Sequence, residues 1–469
     1  MKRLFGTSGV RGVYNTEFTP LMALKMGLSL GTYLSGKSVV VGRDVRTTAR
    51  SIECAVTSGL VNTGCRVHKT GVVTTPTLAY MTKYLDASAG IMITASHNPP
   101  PAIGLKLWNP DGMGFTLEQE KEIERIYFKE AFSPKPWHLL GKTKNTETAN
   151  SVHIEMIKKN VNLKTIRKRG FRLVVDPGCG AAYKIAPRLS RELDCRVTSL
   201  NAQGDGFFPG RDPVPSEENL KDLSALVSAT SADLGVAFDG DADRVVFTDE
   251  KGKVIEGDRL LAALAKREIE NGGNGKTVTT IEGSMVIEEV INQSGGEVFR
   301  TPVGDIQVAV KIKQCGGMLG GEACGTYIWP KAHYAPDSLL TVGKLLEFLA
   351  DDGIEMSEFI SSIPRYPILR ERIECPDRCK QVLMDSLEKK PSMLLEEMFQ
   401  VQKVDGLRLL SNEGWILIRP SGTEPFIRLT VEAKSTDVAK NYLKELSERL
   451  SGLIDRLRSS RKRELRTGK

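Results

Sequence analysis

Three aspartates alternate with glycine and alanine in the stretch FDGDADRVV, at Asp239, Asp241 and Asp243, directly after an apolar run. Carboxylates crowded this closely repel one another unless a hard cation joins them, and their oxygens suit Mg²⁺ or Ca²⁺. An EF-hand is excluded. Glu250 falls at its twelfth position, but Arg244 stands where that loop requires glycine, and the flanks read as strands. A haloacid-dehalogenase-like phosphatase would have Thr or Val where this chain has Asp243. Arg244 beside a metal suits an anionic ligand, most simply a phosphate.

Two other stretches have the makings of an anion site. In RPSGTEPFIR, Arg419 and Arg428 bracket Ser421, Gly422 and Thr423. Hydroxyls, backbone N–H groups and guanidinium forks together form a phosphate cradle. In LFGTSGVRG a glycine- and serine-rich turn carries Arg11 but lacks the Walker pattern. A nucleophile is offered by ITASHNPPP. Proline continues neither a helix nor a central strand, so the strand ends in a stiff loop with Ser96 at its tip. A Ser-His-Asp hydrolase is the rival reading. Its base would have to face the hydroxyl, which the adjacent His97 is badly placed to do, and the G-x-S-x-G elbow is absent. Lys106, ten residues on, can serve as an acid or base if desolvated.

These residues need strands to hold them. Strands and helices alternate along most of the 469 residues, which predicts an α/β architecture. Ligands in open α/β sheets bind where strands run into polar loops, which is where the aspartates and Ser96 fall. Turn-rich breaks divide the chain into 1–147, 148–252, 253–364 and 365–455, with a basic tail at 456–469. Seven of the last fifteen residues are basic against Asp455 and Glu464, so most of the net charge of +7 lies there. The preceding helix is expected to end near Ile454 and the tail to fray. No nucleic-acid motif accompanies the tail, so nucleic acid is not an expected partner. No apolar run is long enough for a membrane span, and none follows the basic start, so no signal peptide and a cytoplasmic location are expected. Eight cysteines without a C-x-x-C pair read as free thiols, not zinc ligands.

Taken together, FGTSGVRG, TASHNPP, DGDADR, GGEACGT and RPSGTEP resemble the motifs of the α-D-phosphohexomutase family, in its order and at its spacing, over nearly the whole chain. The resemblance implies four domains around a central cleft: three related α/β/α domains with mixed sheets, then a C-terminal α+β domain. It implies that Ser96 is a phosphoserine in the resting enzyme. Its phosphoryl group would pass to a sugar monophosphate, giving a bisphosphate that also serves as activator, and the other phosphate would return to the serine. Mg²⁺ would be held by the Ser96 phosphate with Asp239, Asp241 and Asp243. Lys106 and Arg11 would assist transfer, and His97 would orient the loop or the phosphate. Arg244 would meet the anionic substrate, while Glu322, Cys324 and Thr326 would line the sugar site. Arg419, Ser421, Gly422, Thr423 and Arg428 would grip the distal phosphate. The implied partners are hexosamine or hexose phosphates, with no membrane.

Cys324-Gly325-Thr326 and the run ILIRPSGTE are similar to the archaeal phosphoglucosamine mutase branch of the family. That implies interconversion of glucosamine 6-phosphate and glucosamine 1-phosphate. Mannose or glucose phosphates are the alternative on the same mechanism, and a non-catalytic sugar-phosphate scaffold is a further one. Several positions depart from the pattern, Cys179 in DPGCG and Asp337-Ser338 among them. Ile103 stands where asparagine is usual, which reads as the removal of a polar group near Lys106. Cys324 replaces a serine. Thr326 occupies a place that many bacterial members give to histidine, a ring that His333 would supply unless it is a surface residue.

Overall fold

The strand Val39–Arg43 is buried along nearly its whole length, the pattern of a central strand covered on both faces. It is the middle of a six-stranded mixed sheet ordered Val10–Val13, Ala102–Trp108, Ala89–Ile93, Val39–Arg43, Val67–Val72 and Thr143–Asn145. The last four strands are parallel to one another, and the first two pair antiparallel. The computed structural model describes residues 3–6, 9–394, 400–421 and 424–467. Helix starts follow local chemistry. Thr19 accepts from the Met22 N–H ahead of Pro20, and Thr74 accepts from the Thr77 N–H ahead of Pro76.

Two four-stranded mixed sheets follow. One is ordered Val245–Thr248, Leu234–Phe238, Arg172–Asp176, Arg196–Ser199; the other Glu297–Thr301, Lys276–Thr280, Leu319–Glu322, Thr326–Ile328. One continuous core serves both. The final sheet is five-stranded and antiparallel throughout, from Ile368–Glu374 to Phe426–Ala433. Helices Asp377–Lys389 and Thr436–Thr467 cover one of its faces. From the other face Trp415 and Leu417 pack on Ile281 of the third sheet's domain. Three α/β units with mixed sheets and a C-terminal α+β unit are thus the architecture.

The last helix departs from expectation. It runs to Thr467 and does not stop near Ile454. Residues after Gly452 include no proline or glycine before Gly468, and arginine, lysine, leucine and glutamate are good helix formers. Arg458 also donates to the Glu374 carboxylate at 2.9 Å, tying the helix to the sheet. No helix among the described residues is long and apolar enough to cross a membrane.

The first three units are pinned together at the acidic loop. Thr75, opening a helix of the first, donates its N–H to the Asp241 carbonyl at 2.9 Å and its hydroxyl to the Asp241 carboxylate at 2.6 Å. Ser338, opening a helix of the third, donates to the Ala242 carbonyl at 2.6 Å.

Candidate active site

Ser96 leaves the C-terminal end of the strand Ala89–Ile93 with φ at +52°, a left-handed conformation uncommon outside glycine. Its N–H donates to Thr94 Oγ1 at 2.8 Å, and its hydroxyl donates to Asp239 Oδ2, also at 2.8 Å. Asp239, Asp241 and Asp243 come from the loop after Leu234–Phe238, and all three are buried. Each offers an oxygen within 4.8 Å of the others. Lys106, from the strand Ala102–Trp108, donates to Asp241 Oδ2 at 2.7 Å and Asp243 Oδ2 at 2.5 Å. Residues 96, 106 and 239–243 therefore meet as the sequence leads one to expect, although they span two sheets.

The electrostatics divide these groups. Burial and the two neighbouring carboxylates push Asp239 well above the usual carboxylate range. Asp241 is equally buried, but the Lys106 ammonium beside it and the Thr75 hydroxyl hold it low. Burial acts to lower Lys106, yet Asp241 and Asp243 outweigh it and the ammonium is favoured. Lys106 is thus a charge donor here, not the free base that desolvation alone would make. Burial, then Arg244 and Arg11, bring His97 down to about 4, leaving it neutral at pH 7. Its Nδ1 lies 3.3 Å from Ser96 Oγ.

The donor set fits a hard cation. Asp241 Oδ1 and Asp243 Oδ1 are buried and have no hydrogen-bond partner among the described residues, and a divalent ion bound by oxygen would satisfy both. A second cluster is different. Asp337 Oδ2 accepts from Nε2 of both His153 and His333, at 2.9 Å each. The Ala335 N–H points at His333 Nδ1 at 3.2 Å, so that ring carries its proton on Nε2. His153 Nδ1 meets Thr77 Oγ1 at 2.8 Å, and Asp337 Oδ1 caps the next helix at the Leu340 N–H. Each polar atom has a partner without a metal. This is a hydrogen-bonded junction of three domains. His333 is neither on the surface nor in the cleft.

A cavity of about 440 Å³ opens in front of Ser96. Arg11, His97, Asp243, Arg244, Glu322, Cys324 and Thr326 line it as expected. Arg11 enters because its strand partner is Gly104, where a Cβ would meet the Val10 carbonyl at 2.1 Å and Arg11 Cγ at 2.8 Å. Glu322 accepts from the Gly304 N–H at 3.1 Å and from Thr326 Oγ1 at 3.3 Å. Burial, with Asp305 adding, pushes Glu322 up to about 7. Burial also pushes the Cys324 thiol up to about 12. Asp305, Glu282 and Arg370 line the cavity too, and no motif marked them. Nothing in ILRERIE sets Arg370 apart, since the edge strand it forms carries three exposed charged residues in a row.

One expectation changes. Ile103 is fully buried in the first core, in strand register with Gly12. It fills a hydrophobic site and does not stand in for a polar group beside Lys106. The described residues of the C-terminal loop do not line this cavity, although Arg419 pairs with Glu282 of its lining. Arg419 is held by Asp405 at 2.7 Å and Glu282 at 3.0 Å. Ser421 is buried, with its carbonyl taking the Lys380 ammonium at 2.6 Å, and the Arg428 guanidinium lies over the Phe426 ring. Gly422 and Thr423 lie outside the described residues. All eight cysteines are free thiols.

Family models described as phosphoglucomutase/phosphomannomutase match four successive parts of the chain: alpha/beta/alpha domain I at 2–134, domain II at 151–252, domain III at 256–366 and the C-terminal domain at 372–449. A probable phosphoglucosamine mutase of Methanopyrus kandleri is 45% identical over 458 residues, covering 98% of this chain and 100% of that one. A phosphoglucomutase/phosphomannomutase family protein of Burkholderia thailandensis superposes with a TM-score of 0.86 at 26% identity, over 96% of this chain and 97% of that one. The fold is also that of Aspergillus fumigatus N-acetylphosphoglucosamine mutase, solved with GlcNAc-6P and magnesium: TM-score 0.61, 15% identity, 96% of each chain.

Proposed function

The chain belongs to the phosphoglucomutase/phosphomannomutase family, and on that footing we propose that it interconverts glucosamine 6-phosphate and glucosamine 1-phosphate, carrying the phosphoryl group on Ser96. One observation carries the reading. The Ser96 hydroxyl points into a buried carboxylate cluster that already holds Lys106, at the floor of a cavity bearing Glu322. The relatives' name favours the amino sugar.

Phosphoryl transfer is governed by positioning and charge more than by covalent assistance. The bond from phosphorus to Ser96 Oγ breaks as one forms to a sugar hydroxyl oxygen, and the product is a bisphosphate. Turned end for end, the bisphosphate returns its other phosphate to Ser96. Mg²⁺ held by Asp239, Asp241 and Asp243 would neutralise charge on the transferring oxygens. Lys106 adds an ammonium on the same side, and neutral His97 orients the loop and the phosphate and would take up the proton of the attacking hydroxyl. Arg11, Arg244 and Arg370 receive the anionic ligand. Arg419, Ser421, Gly422, Thr423 and Arg428 grip the distal phosphate, Arg419 exchanging its carboxylate partners for it. A trace of sugar bisphosphate charges the serine, and we place the reaction in the cytoplasm with other soluble sugar phosphates.

The test is ³¹P NMR of the protein with Mg²⁺ and trace bisphosphate, supplied separately with glucosamine, mannose and glucose 6-phosphates. Selective formation of glucosamine 1-phosphate, abolished by Ser96→Ala, is expected. Faster turnover of mannose or glucose phosphate would keep the mechanism and overturn the sugar. No turnover of any would leave a non-catalytic scaffold.

A further inference from the structure

Arg46 lies in the turn after the strand Val39–Arg43, and its side chain is wholly buried. A buried guanidinium is costly unless each of its five N–H groups finds an acceptor. Here each does. Nη2 donates to the carbonyls of Ser96 at 2.9 Å and Asn98 at 2.6 Å. Nη1 donates to those of Pro99 at 2.7 Å and Ala102 at 3.0 Å, with the Pro100 carbonyl at 3.3 Å. Nε donates to Asp44 Oδ2 at 3.1 Å. Asp44 is tied in turn to the Thr94 hydroxyl at 2.7 Å, and Thr94 Oγ1 accepts the Ser96 N–H.

The loop's own sequence explains why it needs such a hub. Three successive prolines supply no N–H, so the loop's own turns reach only the Ala95 and Pro99 carbonyls, from the Asn98 and Ala102 N–H groups at 3.0 Å each, and leave the others to the guanidinium. Ser96 meanwhile sits at φ +52°, a conformation that persists only when its surroundings over-determine it. The second unit, which carries the aspartates, reaches the same hub. The Phe208 ring covers the guanidinium at 5.2 Å. Gly206 packs so close that a Cβ there would meet the Thr47 nitrogen at 2.5 Å.

We infer that Arg46, with Asp44 and Thr94, is a positioning scaffold for phosphoryl transfer: it gathers the carbonyls of residues 96–102 and so fixes Ser96 Oγ against Asp239. The inference rests on the reading of Ser96 as phosphoryl carrier. Arg46 does not line the cavity, so its effect falls on the transfer step and not on sugar binding. Misplacing a reacting atom by about 1 Å lowers a rate about 10²-fold.

Three variants test this, each read by single-turnover transfer from phosphorylated enzyme to sugar phosphate, normalised to Ser96 phosphate by intact mass. Arg46→Lys replaces a planar fork of five donors by a point charge with three. Its rate is expected to fall about 10²-fold, with KM for the sugar phosphate within about twofold of wild type. Thr94→Val removes the acceptor of the Ser96 N–H at constant shape and is expected to slow transfer. Thr94→Ser keeps the hydroxyl and is expected to restore it. A role confined to stability would lower the yield or melting temperature of Arg46→Lys and leave transfer per phosphoserine unchanged, and that result would overturn the inference. So would a rise in KM alone. Should Arg46→Lys not fold, the Thr94 pair decides, and equal transfer by the two overturns the scaffold. A wild-type protein that neither carries nor transfers a phosphoryl group removes the proposed function itself. Wild-type transfer matched by all three variants removes only the scaffold.

Discussion

Replacing Lys106 by methionine separates the metal site from the reaction. The side chain is 4% exposed and its ammonium meets both Asp241 and Asp243. Methionine keeps the stem and removes the charge. Breaking a buried ion pair from one side costs about 3–5 kcal/mol, and here it strands two carboxylates beside a third. In EDTA, Lys106→Met is therefore expected to lose about that much apparent stability against urea. Lowering the pH shrinks the deficit, because the stranded carboxylates take up protons. Mg²⁺ binds only the native cluster, so at a hundredfold excess over its Kd for a given protein it stabilises that protein by about 2.7 kcal/mol. The assay is urea unfolding of wild type and variant in EDTA and across a Mg²⁺ titration, with ³¹P turnover on the same samples. Turnover is expected to stay low even where Mg²⁺ has restored stability, because the ammonium that faces the transferring phosphoryl is gone. A variant and a wild type that both gain no stability from Mg²⁺ would refute the aspartates as the metal's ligands. Near-normal turnover in Mg²⁺ would remove Lys106 from the reaction.

Two further outcomes are expected. Ile103→Asn would restore the residue usual in the family's loop, yet the position is wholly buried in the first core. It should cost about 3 kcal/mol by urea unfolding without raising turnover; a more active variant of unchanged stability would refute the core placement. Glu322, pushed up to about 7 by burial, is a carboxylic acid below that pH and a carboxylate above it. Only the carboxylate accepts sugar hydroxyls at both oxygens, so KM should rise as pH falls below 7, by at most about tenfold per unit. Glu322→Gln should flatten that rise, leaving only the substrate phosphate's own titration. A pH–KM profile identical in the two proteins would exclude Glu322 from sugar binding.

The chemistry was legible wherever the reacting groups are neighbours in sequence. Asp239, Asp241 and Asp243 lie on one loop, and Ser96 is ten residues from Lys106, so their types and spacing pointed to a metal and a nucleophile, and the resemblance to the family made that nucleophile a phosphoryl carrier. The strand-to-loop pattern placed them at sheet ends for the same local reason. The fully buried strand 39–43 was legible from its apolar run, and the last helix only in part, because the density of like charge beyond Ile454 masks a favourable helix propensity.

What the tertiary structure decided depends on which strands become neighbours. Arg46 acts on carbonyls 50 or more residues away, and a main-chain oxygen leaves no mark in the sequence. Arg370 reaches the cavity because its sheet docks on the third unit. His153 of the second unit meets His333 and Asp337 of the third and Thr77 of the first, and their polar atoms find partners within that junction. Ile103 looked like a missing polar group until strand register put it against Gly12 and into a core. Arg419 has an ion-pair partner from another unit, Glu282, that its own motif does not announce. The kinds of group needed for the reaction are local and written in order along the chain. Their protonation states, their partners and the rigidity of Ser96 arise from burial and from contacts made only when the separate sheets close on one another.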